Sequence, residues 1–240
     1  MHEPRTYRSL VKTGDLVSFE VVEAETDLLI CADRDLAPKA KELVKKARIE
    51  LTKYIVKHPN FEKSFVPLPS DIGAPGIVSE MLKYSKRAGV GPMASVAGAV
   101  AEYVGKRLLK YSKQVIVENG GDIYMRTSLS RRVSVFSGSS PFSGRVALEI
   151  SPEDTPIGIC TSSGTVGHSL SFGSADAVAV CARSAALADA AATAIGNAVK
   201  TGKDLEEGLL AAKKIKGLSG VLIIKGDKMG IWGKLKLLGI

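Results

Sequence analysis

The sequence predicts an α+β fold, a single domain over residues 1–240 in which antiparallel sheets pack against several helices. Three observations carry this expectation. Short alternating runs read as strands joined by tight turns, longer stretches switch to helical periodicity, and no regular βαβ alternation links the two kinds. A chain of 240 residues can bury a large core. With 45% hydrophobic and 24% charged residues, it has the balance of a globular protein, which excludes a disordered or fibrous class.

The elements follow in order. RSLVK, LVSFEVVEA and DLLICAD, separated by TGD and ETD, predict an opening meander. From Asp35 to Lys57, Leu36, Leu43, Ala47, Leu51, Tyr54 and Ile55 recur at helical steps with lysines between them, which makes an amphipathic helix with a basic face. Four prolines and Gly73 make residues 58–75 a surface loop. Helices are expected over 78–87 and, after the break GVGP, over 93–111. The second carries Ala94, Ala97, Gly98, Ala101 and Gly105, small residues that let another backbone approach. QVIVE, GDIYMRT, RRVSVFSG, RVALEIS, IGICTSS and DAVAVCA are strands. An Ala-rich helix over 184–200, a helix over 204–216, the strand VLIIKGD and a short tail WGKLKLLGI complete the chain.

The net charge of +8, from 33 Lys and Arg against 25 Asp and Glu, favours anionic partners such as phosphates. Aromatic residues make up 5% of the chain and no nucleic-acid recognition motif occurs, so a nucleic-acid role is disfavoured. Three widely spaced cysteines, Cys31, Cys160 and Cys181, fit neither a disulfide framework nor a CxxC metal site. No apolar run has the length of a membrane helix, and MHEPRTYRSLVKTGD reads as no export signal; a soluble, cytoplasmic protein is expected.

Three segments could carry chemistry. Asn119-Gly120 in VIVENGGDIYM is a strong hairpin signal, and the same turn would let a ligand approach Gly120 and Gly121 with Asn119 and Asp122 beside it. In SAALADAAATAIGNAVK, Asp189 and Thr193 lie four residues apart on one helix face. That spacing suits half of a site for a hard cation, and equally an ordinary Ala-rich helix. In TSSGTVGHSLSFGSAD, His168 is the one histidine in a glycine-rich setting, so a Ser-His or Cys-His mechanism would need it with Cys160, Ser162, Ser163 or Ser169 as nucleophile. Neither a G-x-S-x-G elbow nor a P-loop ending occurs there.

Together, ENGGDIY at 118–124, TSSGTVGHSLSFG at 161–173 and ALADAAATAIGNA at 186–198 resemble the N-x-G-G-D, T-S-G…H and A-D-A-x-A-T-A segments of the ApbE-like superfamily, in a shorter branch of it. The resemblance covers residues 90–200, with 1–75 less well matched. It implies an ApbE-like, T-fold-related arrangement. ApbE proteins are Mg²⁺-dependent flavin transferases that split FAD and attach FMN to a threonine of a target protein, and some hydrolyse FAD. The resemblance therefore implies Mg²⁺ at Asp189 and Thr193 with a backbone carbonyl near Ala97. It implies a flavin site along Asn119, Gly120, Gly121 and Asp122, and reacting phosphates bordered by Thr161, Ser162, Ser163, Gly164 and His168, the last a catalytic candidate. In ASVAGAVAEYV, Glu102 stands where ApbE proteins usually have aspartate. Where they continue H-x-x-D-P-x-T-G, this chain reads His168-Ser-Leu-Ser-Phe-Gly. FAD, FMN or a related nucleotide is the expected small-molecule partner. A non-catalytic flavin or nucleotide binder is the alternative, and a homo-oligomer is compatible with either.

Overall fold

A computed structural model describes residue 8 and residues 14–162, 173–201 and 204–239. The chain begins with a hairpin of β1 (Val17–Glu23) and β2 (Thr26–Ala32) and continues into the long helix α1 (Ala37–Lys57). α1 buries Ala40, Leu43, Val44 and Ala47 at helical steps and leaves most of its lysines on the far side, as the periodicity demands. A short helix α2 (Asn60–Lys63), α3 (Gly76–Ala88), a 3-10 turn over Pro92–Ser95 and α4 (Val96–Leu108) follow. Then come β3 (Val115–Asn119), β4 (Asp122–Arg126), β5 (Arg131–Ser134), β6 (Val146–Ile150), β7 (Ile157–Ser162) and β8 (Ala177–Ala182). Helices α5 (Ala185–Ala198) and α6 (Leu205–Lys214) and strands β9 (Leu218–Lys225), β10 (Lys228–Gly233) and β11 (Lys236–Gly239) close the chain.

Eight strands form one sheet in the order β1-β2-β3-β4-β7-β8-β9-β10, every neighbouring pair antiparallel. The expected α+β class with antiparallel sheets is therefore the observed one. One face of this sheet carries the helices. Val117, Tyr124, Cys160, Val180 and Ile223 meet α1, α3, α4 and α5 there in the larger core. On the other face Ile116, Met125, Ile159 and Leu222 meet Leu148, Ile150 and Leu237 of a second, three-stranded sheet, β11-β6-β5.

Two local expectations change. Residues 58–75 contain the one-turn α2, which exists because Phe61 is fully buried. The tail is two strands: Gly233, at φ 82°, turns the chain away from β10, and Leu235 and Leu237 pack in the second core. RSLVK lies outside the described residues except for Arg8.

α5 is apolar almost all round because it lies between the sheet and the other helices: Ala185, Ala188, Ala191, Ala192 and Ile195 are buried, and it touches β7, β8, α3, α4 and α6. The α4–α5 approach depends on one missing side chain. A Cβ at Gly98 would sit 2.3 Å from the Ala185 carbonyl oxygen and 2.9 Å from Asp189 Cβ. Gly98→Ala is therefore expected to destabilise the fold by about 1–3 kcal/mol through overpacking. Gly76→Ala, whose Cβ would meet nothing within 4 Å, is expected to be neutral or slightly stabilising. Urea denaturation of the two variants checks the contrast.

Candidate functional site

The site is built where three elements end on the helix-facing side of the large sheet. Asn119 pairs with Asp122, which leaves Gly120 and Gly121 as a two-residue turn at φ 64° and 95°. The turn falls one residue later than Asn119-Gly120 predicts: Asn119 ends β3, and the two positive φ values sit on Gly120 and Gly121, where glycine meets them without strain. Strand alternation sends Val117, Asn119, Asp122 and Tyr124 toward the helices, and Ile116 and Met125 toward the second sheet. Asn119 Nδ2 donates to the Ala97 carbonyl of α4 at 3.1 Å, and the Gly121 amide donates to Glu118 Oε1 at 2.6 Å.

α5 brings the second carboxylate. Its N-terminus is capped by Ser184, whose hydroxyl accepts from the Leu187 amide and donates to Glu102 Oε2 at 2.7 Å. The same Glu102 oxygen accepts from the Ala186 amide at 3.2 Å. Glu102 also pairs with Lys106. This acidic residue, which the resemblance set beside the family's aspartate, is thus occupied in fixing the start of α5. One turn along, Asp189 Oδ2 accepts from the Gly98 amide at 2.9 Å, and the Ala97 amide also donates to this carboxylate. Both donors belong to the first turn of α4, where free amides and the helix dipole favour an anion.

β7 completes the cluster. Cys160 and Ser162 alternate onto the helix face; Thr161 points its side chain the other way. The Asp122 carboxyl receives the Thr161 amide and the Cys160 thiol as donors. The thiol also lies 3.3 Å from the Ala185 carbonyl oxygen, so its single proton is shared between two acceptors. Ser162 is buried, and its hydroxyl oxygen has no hydrogen-bond partner among the described residues. A buried hydroxyl is costly unless something else completes its hydrogen bonding.

Electrostatics sharpen this picture. Burial drives the Asp189 carboxyl up to about 7 despite the two α4 amides that oppose the shift. Burial first, and then the neighbouring Asp189, push the Asp122 carboxyl well above its ordinary range. No lysine or arginine among the described residues forms an ion pair with either. Burial, with both carboxylates nearby, also pushes the Cys160 thiol up, so Cys160 is a protonated thiol and no nucleophile at neutral pH.

Of the residues singled out by sequence, Asn119, Ala97, Asp122 and Asp189 converge, joined by Gly120 and Gly121 as the turn. Thr193 is half-buried, one turn beyond Asp189 on the same face of α5. Ser162 shares the helix-facing side of β7 with Cys160, and Thr161 reaches Asp122 with its amide alone. Ser163, Gly164 and His168 lie outside the described residues. Cys160, a nucleophile candidate by sequence, instead donates its thiol to the Asp122 carboxyl. A period-two reading of IGICTSS would have placed it on the face of Ser162. The oxygen donors that suit a hard cation are Asp189, Asp122 and the Thr193 hydroxyl; the Ala97 carbonyl, expected as a ligand, already accepts from Asn119 Nδ2 and, inside α4, from the amide one turn on. Two open grooves, of about 430 and 690 Å³, lie elsewhere. One flanks α1 by Lys45, Arg48 and Lys53, and the other is at the opposite end of β3 and β4 by Lys113 and Arg126.

This architecture is the ApbE fold. The flavin transferase ApbE from Vibrio cholerae covers 90% of this chain and 96% of its own at a TM-score of 0.61 and 12% identity. The apo flavinyl transferase ApbE from Pseudomonas stutzeri covers 90% and 94% at a TM-score of 0.60 and 14% identity. At such identities the likeness establishes the fold alone. The chain belongs to the family described as AbpE bacteria, whose model matches residues 8–219. Its relatives include UPF0280 proteins of Methanocaldococcus jannaschii, 44% identical over 222 residues (90% of both chains), and of Methanococcus aeolicus, 40% identical over 217 residues (88% of both). Among the described residues no helix is long and apolar enough to cross a membrane.

The raised carboxyl sets a pH dependence. Folding lifts Asp189 from 3.8 to about 7, so the folded chain holds this proton more tightly than the unfolded one. The resulting stability is complete below about pH 4 and is lost as the pH rises to about 7. In chelator, stability is expected to fall by a few kcal/mol over that window. Asp189→Asn, which keeps an acceptor for the Gly98 amide, is expected to flatten the slope. Urea titrations at pH 5 and pH 8 check both.

Proposed function

We propose that the chain binds FAD, FMN or a related phosphorylated nucleotide through a Mg²⁺ ion at Asp189, and that it acts on the phosphate linkage as a transferase-like or pyrophosphatase-like enzyme. The observation that supports this most is the pair of Asp122, buried on the sheet, and half-buried Asp189 on α5, close enough for Asp189 to push the Asp122 carboxyl up and with no basic side chain paired to either among the described residues. Two such carboxylates both ionise at neutral pH only if a cation joins them. Asp189 offers an oxygen already oriented by the α4 amides, and Thr193 offers a hydroxyl one turn along. When bound, the ion supplies charge neutralisation at phosphate oxygens.

The protein's own groups do the rest of the positioning. Asn119 holds the hairpin against α4, and the bare backbone of Gly120 and Gly121 leaves room for a flat ring system to approach. Ser162 presents its unpaired hydroxyl to a ligand oxygen. His168, with Ser163 and Gly164, is assigned to the reacting phosphates, where an imidazole would stabilise or protonate the leaving oxygen. A second reading, binding without turnover, is favoured by one observation: the chain has His168-Ser-Leu-Ser-Phe-Gly in place of H-x-x-D-P-x-T-G.

Thermal melts at pH 8 test the proposal. Mg²⁺ and FAD together, near a hundredfold excess over their dissociation constants, are expected to raise Tm by about 5 °C or more. Asp189→Asn should abolish the rise. No rise in the wild-type protein would refute the reading. Chromatography of the same mixtures separates the two versions: FMN and AMP appear if the protein is an enzyme, and FAD persists if it is a binder.

A further inference from the structure

The turn that carries Asn119 and Asp122 is held from behind as well as from the helix side. In a two-residue hairpin the amide of the second turn residue has no partner in the ladder. Here that amide, on Gly121, donates to Glu118 Oε1 at 2.6 Å. Glu118 lies on the face of β3 opposite to Asn119, with a side chain only 9% exposed, and its other oxygen accepts from Arg8 Nε at 2.7 Å. Arg8 is itself 8% exposed. Its Nη1 donates to Asp27 Oδ1 at 2.7 Å and its Nη2 to the Asp27 carbonyl oxygen at 3.0 Å. One guanidinium thus ties β2 to β3 at the end of the sheet where the turn sits.

We propose that Arg8 is a positioning residue for the carboxylate pocket. It holds Glu118 against the Gly121 amide, which fixes the conformation of the Gly120-Gly121 turn and with it the placement of Asn119 and Asp122. The inference rests on the reading of Asp122 and Asp189 as the cation pocket. The fork geometry explains the residue type. Three of its N–H groups reach acceptors on two strands at once, which a lysine ammonium on a single flexible stem does not reproduce. The clamp also has an electrostatic consequence. Glu118 is among the charges that push the Asp122 carboxyl up, and the guanidinium opposite Glu118 offsets that influence.

The test uses the full chain and Mn²⁺ as the probe, with free Mn²⁺ read by electron paramagnetic resonance at pH 8 and with hydrogen exchange of the Gly121 amide read by NMR. Arg8→Met is expected to remain folded, to weaken Mn²⁺ binding by about 10–100-fold and to speed exchange at Gly121. Arg8→Met combined with Glu118→Gln is expected to recover most of the affinity and protection, because a neutral amide oxygen at 118 accepts from Gly121 without a guanidinium facing it. A role of Arg8 confined to fastening the N-terminal segment would show no such rescue. Arg8→Met that binds Mn²⁺ like the wild type, or a double variant as weak as the single one, overturns the proposal. If wild-type protein binds no Mn²⁺, the cation reading falls, and the exchange data alone judge the clamp: unchanged protection at Gly121 in Arg8→Met overturns it.

Discussion

Two carboxyl groups, the buried Asp122 at the start of β4 and the half-buried Asp189 one turn into α5, lie near each other between the sheet and the helices. Much of the surrounding structure exists to bring them there. Gly98 removes the side chain that would keep α4 from α5, and the α4 amides receive Asp189. Gly120 and Gly121 supply the positive φ values that let Asn119 reach α4 while Asp122 starts the next strand. Glu102 and Ser184 fix where α5 begins. Burying two acids side by side costs stability in the ionised state, so a fold that builds such support for them holds a site whose occupant is positively charged or whose proton is shared.

Much of this was legible in the sequence because it depends on local chemistry. The run Asn119-Gly120-Gly121 signals a hairpin locally, although the positive φ values fall on Gly120 and Gly121 while Asn119 ends β3. The four-residue step from Asp189 to Thr193 fixes a common helix face whatever surrounds it. The alternation of QVIVE and GDIYMRT fixes which side chains face the helices. The rest depends on contacts between distant segments. That Glu102 would be spent on the cap of α5, 82 residues away, has no local signature. The same holds for the clamp from Arg8 to Glu118, separated by 110 positions. Thr161 was grouped with Ser162 because they are adjacent, yet strand alternation separates their side chains to opposite faces.

The solved structures that share the fold have 12–14% identical residues, so what this chain shares with them is the fold. Architecture of that kind positions chemistry without dictating it. In this chain the pocket holds a buried thiol, Cys160, within reach of Asp122, and on the same strand face Ser162, whose hydroxyl has no partner among the described residues. Both belong to β7, the strand that leads directly into the segment of His168. The proposed chemistry of the transferred group therefore depends on one strand and its continuation, while the proposed cation pocket depends on α4, α5 and the hairpin.

Proton release on cation binding, measured by titration calorimetry in two buffers of different ionisation enthalpy, tests the proposed pocket most directly. If a divalent cation displaces the proton held on the carboxyl pair, binding of Mn²⁺ at pH 6.5 should release about one proton, and release should diminish toward pH 8.5 as Asp189, with its carboxyl near 7, ionises beforehand. Binding heats that do not differ between buffers, or the same stoichiometry of release in Asp189→Asn, would contradict the account.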